Sequence, residues 1–493
     1  MKHAAAAVVS LAFVLFTFFQ FPGHTWLQQD SQIYVAILEH QWDPAVLRND
    51  ILVQQPHVAY TIYDEVALAL RRVTGLGIRP LLEGQQILTR AFGVWGLYLI
   101  ATALGLPLAG AVTAAMVVSL GAMIAGPQVL TFEYEPTPRA FAVPLLMWAA
   151  GLAAHRRSVW ASIAAGAAFL YHPPTALPVW AMLAVLIVMR RDWRAAVPLF
   201  VAAAMIAVAA SRQSGGTQIL FGRLTPLEVQ LQHLRTAYVW ISTWPWRVIA
   251  EHIARFAIAM AAFWRIRHKV GIELRLFLVA LPLAGLLSMP VSWLLLERAG
   301  LAIVPQIQPL RLLLFGTLAM QILTAVAGLN AVFPESFLWM AAAYYPSLQS
   351  WWVLPLALAT ALLPKFSPAV AALAFFVVPP NYPHLHTPAL ADLSAWAQAN
   401  TRGDSVFVFP NVGRGLDSGI FRAEGLRAVY VDWKGGGQIN YLRDFAEVWW
   451  PRWQQVTVAH DYSGNDYVVM RTPDRLPGSP VFENPGYAVW SVK

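Results

Sequence analysis

Uninterrupted apolar stretches alternate with short polar breaks along the first 380 positions, and this pattern predicts helices that lie in a bilayer. Thirteen segments are expected, near residues 4–21, 85–105, 107–126, 139–154, 158–171, 174–190, 195–211, 247–264, 270–296, 306–330, 336–348, 350–363 and 367–380. The two between 336 and 363 also read as one long helix. No small-x-small cleavage site follows the first segment, only Phe21-Pro22-Gly23-His24-Thr25-Trp26, so it is expected to stay as an anchor. No internal repeat is visible, which weighs against inverted-repeat transporter architectures.

The pattern changes at Pro379-Pro380-Asn381, where charged residues return. The expected division is therefore a transmembrane part, 1–380, and a small soluble α/β part, 381–493. In the latter, 390–400 is helix-like, whereas 405–409, 428–432, 456–459 and 467–470 are strand-like. Two polar stretches interrupt the membrane part near its start, at 22–84 and 127–138. Within the first, Ile33, Ile37 and Leu38 are spaced for a helix lying along the membrane surface.

Composition agrees with this class. Of 493 residues, 58% are hydrophobic and 12% charged, and cysteine is absent, which excludes disulfides and thiolate metal sites. The net charge of +8 is concentrated in short loops: His155-Arg156-Arg157, Arg190 to Arg194, Arg265 to Lys269, and the turn at Lys365. Cation-rich short loops stay cytoplasmic. Thirteen spans with a cytoplasmic Lys2 put all four on that side, and the stretches 22–84 and 127–138 and the C-terminal part outside a cell (inner) membrane. The positive charge is thus a topology signal with attraction to membrane lipids, not a nucleic-acid footprint.

Chemistry concentrates at Phe132-Glu133-Tyr134-Glu135-Pro136, two carboxylates between strongly apolar flanks. Ionisable groups at membrane depth are costly and usually face a cavity, a metal or a substrate. Asp30 lies shortly after the first helix, Arg139 one turn into the helix after the acidic cluster, His172 in a helix break at Tyr171-His172-Pro173-Pro174, and Arg311 at the expected external end of a late helix. His57 lies in the first polar stretch.

The order of parts resembles the GT-C superfamily of membrane glycosyltransferases, which includes oligosaccharyltransferases and polyprenyl-phosphate-sugar-dependent transferases. These enzymes carry an acidic residue soon after the first helix and an acidic pair in the second external loop; here those positions fall on Asp30 and on Glu133 with Glu135. The resemblance covers the whole chain in layout but few positions in motif, and no Trp-Trp-Asp-Tyr-Gly acceptor motif occurs in the tail. It implies an all-α polytopic bundle of about thirteen helices with a C-terminal α/β external domain, a polyprenyl-phosphate-linked sugar donor, and a glycan, lipid or protein acceptor.

Such a transfer needs a base for the acceptor hydroxyl and positive charge for the departing phosphate. Asp30, its pKa lifted by desolvation, is the expected base. Glu133 and Glu135 are expected catalytic residues that also suit Mg²⁺ or Mn²⁺, and Arg139, Arg311, His172 and His57 are expected substrate contacts. The alternatives are structural: Asp30 as a helix N-cap, Glu133 and Glu135 as solvated loop residues, the arginines as interfacial snorkellers, and His172 as a satisfied helix break. A non-catalytic cell-envelope protein or lipid-linked-glycan transporter is the competing function.

Overall fold

The structure is a computed structural model, and it describes residues 2–54, 61–212, 222–377 and 385–492. Each of the thirteen apolar segments holds a helix over part of its described residues, and 336–363 resolves into two helices, Glu335–Leu348 and Val353–Leu362. Among the described residues, four helices are long and apolar enough to cross a bilayer: Pro173–Arg190, Trp193–Ser211, Ile272–Arg298 and Ile303–Asn330. A fifth crossing results if Val353–Leu362 and Pro364–Val377, bent by 111°, count together, and shorter apolar helices such as Pro138–Ala154 and Ser158–Tyr171 pack among them. The chain is a multi-pass membrane protein.

Helix Ile78–Ala103 packs directly on Pro138–Ala154, and small residues let the backbones meet. A Cβ on Gly96 would lie 2.5 Å from the Trp148 backbone, and one on Gly151 2.6 Å from the Gly96 carbonyl oxygen. Gly96→Ala is therefore expected to cost about 1–3 kcal/mol through overpacking, read as a lower thermal midpoint in detergent. An unchanged midpoint would mean that the helices separate without cost.

The expected helix over 107–126 stops at Ser119. Gly121 (φ 74°) and Gly126 (φ 85°) turn the chain, and β1 (Met123–Ile124) and β2 (Val129–Leu130) form an antiparallel hairpin. The second polar loop thus begins well before 127.

The C-terminal residues form a five-stranded mixed sheet of β3 (Val406–Val408), β4 (Ala428–Val429), β5 (Tyr467–Arg471), β6 (Phe482–Glu483) and β7 (Tyr487–Ser491), in the order β4-β3-β5-β7-β6. The first three are parallel and the last two pairs antiparallel. The strand expected at 456–459 is instead the end of helix Arg443–Thr457. Phe445, Trp449 and Val456 recur there at helical spacing and are buried.

The helix expected on the membrane surface, Ser31–Trp42, is buried instead. Ile33, Ala36 and Ile37 join one core with Val408, Phe445 and Trp449, and Val35 and Leu38 join a second with Phe407, Phe421 and Val489. The first polar loop and the C-terminal residues therefore share two hydrophobic cores. A buried ionic network ties them further. Arg422 Nε donates to Asp50 Oδ2 at 2.6 Å, its other edge donates to Asp432, and Val429 N and Leu52 N also donate to Asp50.

Candidate functional site

A cavity of about 780 Å³ opens where the shared loop-and-tail body meets the apolar helices. Several of its walls are helix starts. Asp30 immediately precedes Ser31–Trp42, Thr137 precedes Pro138–Ala154, and His172 precedes Pro173–Arg190. Helix N-termini carry the positive end of the macrodipole, which favours an anion in the cavity, although Pro138, Pro173 and Pro174 supply no N–H and Ser31 N is already given to Glu135.

Asp30 does not cap its helix through its side chain. Its Oδ1 pairs with Lys434 Nζ at 2.7 Å, and the side chain is 43% exposed, facing the cavity. Burial alone would raise its pKa, but Lys434 above all, with Arg139 and Arg311, holds it down at about 2. This reverses the expected upward shift: without substrate, Asp30 is a fully ionised carboxylate.

Glu135 is nearly inaccessible and does not line the cavity. Its Oε1 accepts from Gln28 N and Gln29 N, both at 2.6 Å, and Oε2 accepts from Ser31 N at 3.1 Å. Burial pushes its pKa up to about 7, while the backbone donors pull the other way. Its place is to hold the turn that carries Asp30.

Glu133 is a partner of Arg139, whose Nε and Nη2 lie 2.8 and 2.6 Å from Oε1. Arg90, itself buried, clamps the same turn by donating to Gly23 O and Glu133 O. The expected acidic clamp of Glu133 with Glu135 is thus corrected: the two carboxylates are engaged by different partners, one already carrying three amides and the other a guanidinium. Among the described residues, no group of three His, Asp or Glu could hold a metal ion. No step below is routed through a metal.

Arg139 and Arg311 both line the cavity. Arg311 Nη1 lies 3.3 Å from His172 Nε2, and its buried Nε has no hydrogen-bond partner. His172 also caps its helix, Nδ1 accepting from Thr175 N at 3.3 Å, so it is a satisfied helix break and a cavity residue at once. Thr137 Oγ1 is buried at the cavity wall with no partner. His57 lies outside the described residues. The structure thus brings Asp30, Arg139, His172 and Arg311 together and sets Glu133 and Glu135 behind them as supports.

Sequence reasoning missed the opposite wall. Lys434 and Trp433 reach the cavity from the C-terminal part, and Arg235 and Arg414 lie over the Trp433 ring, with Cζ 4.1 and 4.5 Å from its centroid. Burial lowers the Arg235 pKa to about 10, still far above neutrality. The signal available was Lys434-Gly435-Gly436-Gly437, a glycine run needed for close approach. A Cβ on Gly436 would meet the Trp449 ring at 2.4 Å, while Gly435 N donates to Asp432 Oδ2. The Arg422 network thereby fixes the backbone on which Trp433 and Lys434 stand.

The cavity's remaining side is apolar. Phe169, Leu177 and Ile206 line it from three successive apolar helices, and Leu177 is 51% exposed.

No family model matches the chain and no curated protein does. Among solved structures, it is similar to the archaeal oligosaccharyltransferase AglB from Archaeoglobus fulgidus, in complex with an inhibitory peptide and a dolichol-phosphate: 12% identity, TM-score 0.42, covering 96% of this chain and 69% of that one. A second structure of the A. fulgidus oligosaccharyltransferase, with Zn and sulfate, gives 13% identity and TM-score 0.41, covering 94% and 68%. The arabinofuranosyltransferase AftD from Mycobacteria gives 18% identity and TM-score 0.37, covering 83% of this chain and 29% of that one. These are distant likenesses of overall arrangement, and the reading of the site rests on its own geometry.

Proposed function

We propose that the protein is a membrane glycosyltransferase of GT-C type that moves a sugar from a polyprenyl-phosphate-linked donor to an external acceptor. The observation that carries this reading is the cavity itself: one ionised carboxylate, Asp30, faces several cations at the mouth of an apolar wall. The phosphate sits against Arg139 and Arg311 and the helix starts, and the lipid tail leaves along Phe169, Leu177 and Ile206. Guanidinium forks suit phosphate oxygens.

In the transfer, the acceptor oxygen bonds to the anomeric carbon as the bond from that carbon to the phosphate oxygen breaks. The acceptor proton passes to Asp30, and the leaving lipid phosphate keeps the electron pair, stabilised by the guanidiniums. At a pKa of about 2, Asp30 is a weak base while it is paired with Lys434, and a bound phosphate screens the smaller share of the depression that comes from Arg139 and Arg311. Donor binding thus moves Asp30 toward a more useful basicity.

Charges within the helices fit this reading better than a transport path. Arg255 is buried in Trp246–Ile266 but pairs within its own helix with Glu251 and donates to Thr317.

Transfer of labelled sugar from a polyprenyl-phosphate donor, measured with purified protein in lipid, tests the proposal. Arg311→Gln is expected to weaken the donor by about tenfold or more, the loss of a charged hydrogen bond, and wild-type donor affinity would count against this phosphate position. No transfer from any such donor by the wild type would overturn the activity. For orientation, the shared cores require the first loop and the C-terminal part to lie on one side, hence an even number of crossings between them; thirteen spans provide that. A reporter at the C-terminus should be external and one near Arg191 cytoplasmic, and the reverse would put the cavity on the wrong side.

A further inference from the structure

Five cations line the cavity, Arg139, Arg235, Arg311, Arg414 and Lys434, against the single carboxylate of Asp30. Arg139 is neutralised by Glu133 and Lys434 by Asp30. Among the described residues, the other three, Arg235, Arg311 and Arg414, have no ion-pair partner. A lipid-linked sugar monophosphate brings about one negative charge, that of a phosphodiester, which Arg311 with Arg139 already answers. Arg235 and Arg414 stand apart from those two in construction. They come from the end of helix Pro226–Arg235 and from the turn after Pro410–Val412, and both lean on Trp433. Arg235 is also held from behind: Nη2 donates to Lys434 O at 3.4 Å, while its buried Nε has no partner. Stacking on an aromatic face fixes a guanidinium plane and leaves its N–H edge available. Trp433 itself is anchored, because Asp432 before it is locked to Arg422 and to the amide of Gly435.

We propose that Arg235 and Arg414, mounted on Trp433, form a second anion subsite that recognises a phosphate group on the acceptor. The acceptor of this enzyme is then an anionic, phosphate-bearing glycan or polyol. Lys434, next to Trp433 and bound to Asp30, ties the subsite to the base, so the anchored phosphate sets where the acceptor hydroxyl meets Asp30. The assignment of the subsite to the acceptor rests on the glycosyltransferase reading; the subsite itself does not.

Two probes test it on the full-length protein in detergent: farnesyl phosphate for the donor side, and mannose 6-phosphate, with neutral mannose as control, for the second anion. Protein saturated with farnesyl phosphate is expected to bind mannose 6-phosphate at least tenfold more tightly than mannose. The Arg235→Gln/Arg414→Gln double variant should lose this preference and keep its farnesyl phosphate affinity within about twofold, whereas Arg311→Gln should do the reverse. Competition between the two probes on the wild type would overturn the proposal in favour of one continuous diphosphate site, and that outcome needs no variant to fold. Equal loss of both probes in a double variant that elutes as wild type would overturn it in the same way. If farnesyl phosphate fails to bind the wild type, the donor reading falls. The subsite is then judged on mannose 6-phosphate alone: loss of binding in the double variant sustains it, and unchanged binding ends it.

Discussion

Asp30→Asn is expected to lower sugar transfer by roughly two to four powers of ten, the usual contribution of a positioned proton-transfer group, while the protein stays folded. The side chain caps nothing, contributes to neither shared core and is 43% exposed, so the isosteric change removes the base and little else. A companion variant separates base from ion pair. Lys434→Gln leaves the carboxylate in place and should lose far less activity than Asp30→Asn. Because Asp30 is held at about pKa 2, it stays ionised on acidification until close to that value, so it should give the free enzyme's rate profile no acid limb near neutrality. Near-full activity in Asp30→Asn would remove the general-base assignment whatever else the cavity binds.

The largest expected loss of stability belongs to a residue far from the chemistry. Arg422 is 1% exposed and bridges two buried carboxylates, Asp50 and Asp432. Arg422→Gln strands both acids in a dry interior, and breaking a buried pair in this way costs about 3–5 kcal/mol. Arg422→Lys should fare little better, since a single ammonium cannot reproduce the fork that reaches both carboxylates. The measurement is the thermal midpoint of the purified protein, together with protease sensitivity of the part outside the bilayer. Wild-type values for both variants would show that water or a rearranged backbone satisfies the acids, and that the network does not fix Trp433 and Lys434.

The membrane helices were legible because apolar composition dictates them over long windows, and Ser158–Tyr171 even matches in its limits. The basic and acidic residues at helix starts, Asp30, Arg139, His172 and Arg311, were legible for a related reason: charge next to an apolar run stands out in one dimension. Glu133 and Glu135 stood out equally but were misread. An extended chain would put positions two apart on one face, but the chain bends at Tyr134 and Glu135, so their side chains face different neighbours and close spacing did not mean a shared site. The opposite wall was not legible at all. Lys434 meets Asp30 across nearly the whole chain, and Arg235 and Arg414 converge on Trp433 from segments with no local signature. The burial of Ser31–Trp42 was hidden likewise, because its second covering surface comes from Phe407, Phe421 and Phe445.

The cores shared by the first loop and the tail impose an order on biosynthesis. Asp50 and its partner Arg422 are 372 residues apart, so at ribosomal speeds of about 5–20 residues per second the loop waits roughly 20 to 70 s for the surface that covers it. During that interval Leu38, Leu47 and Leu52 lack the part of their cores that Phe407, Phe421, Phe445 and Trp449 supply, and the aqueous face of the nascent bundle is sticky. A chain stalled before residue 385 therefore presents the quality-control machinery with inserted helices under an unclothed loop, a species marked for capture or degradation.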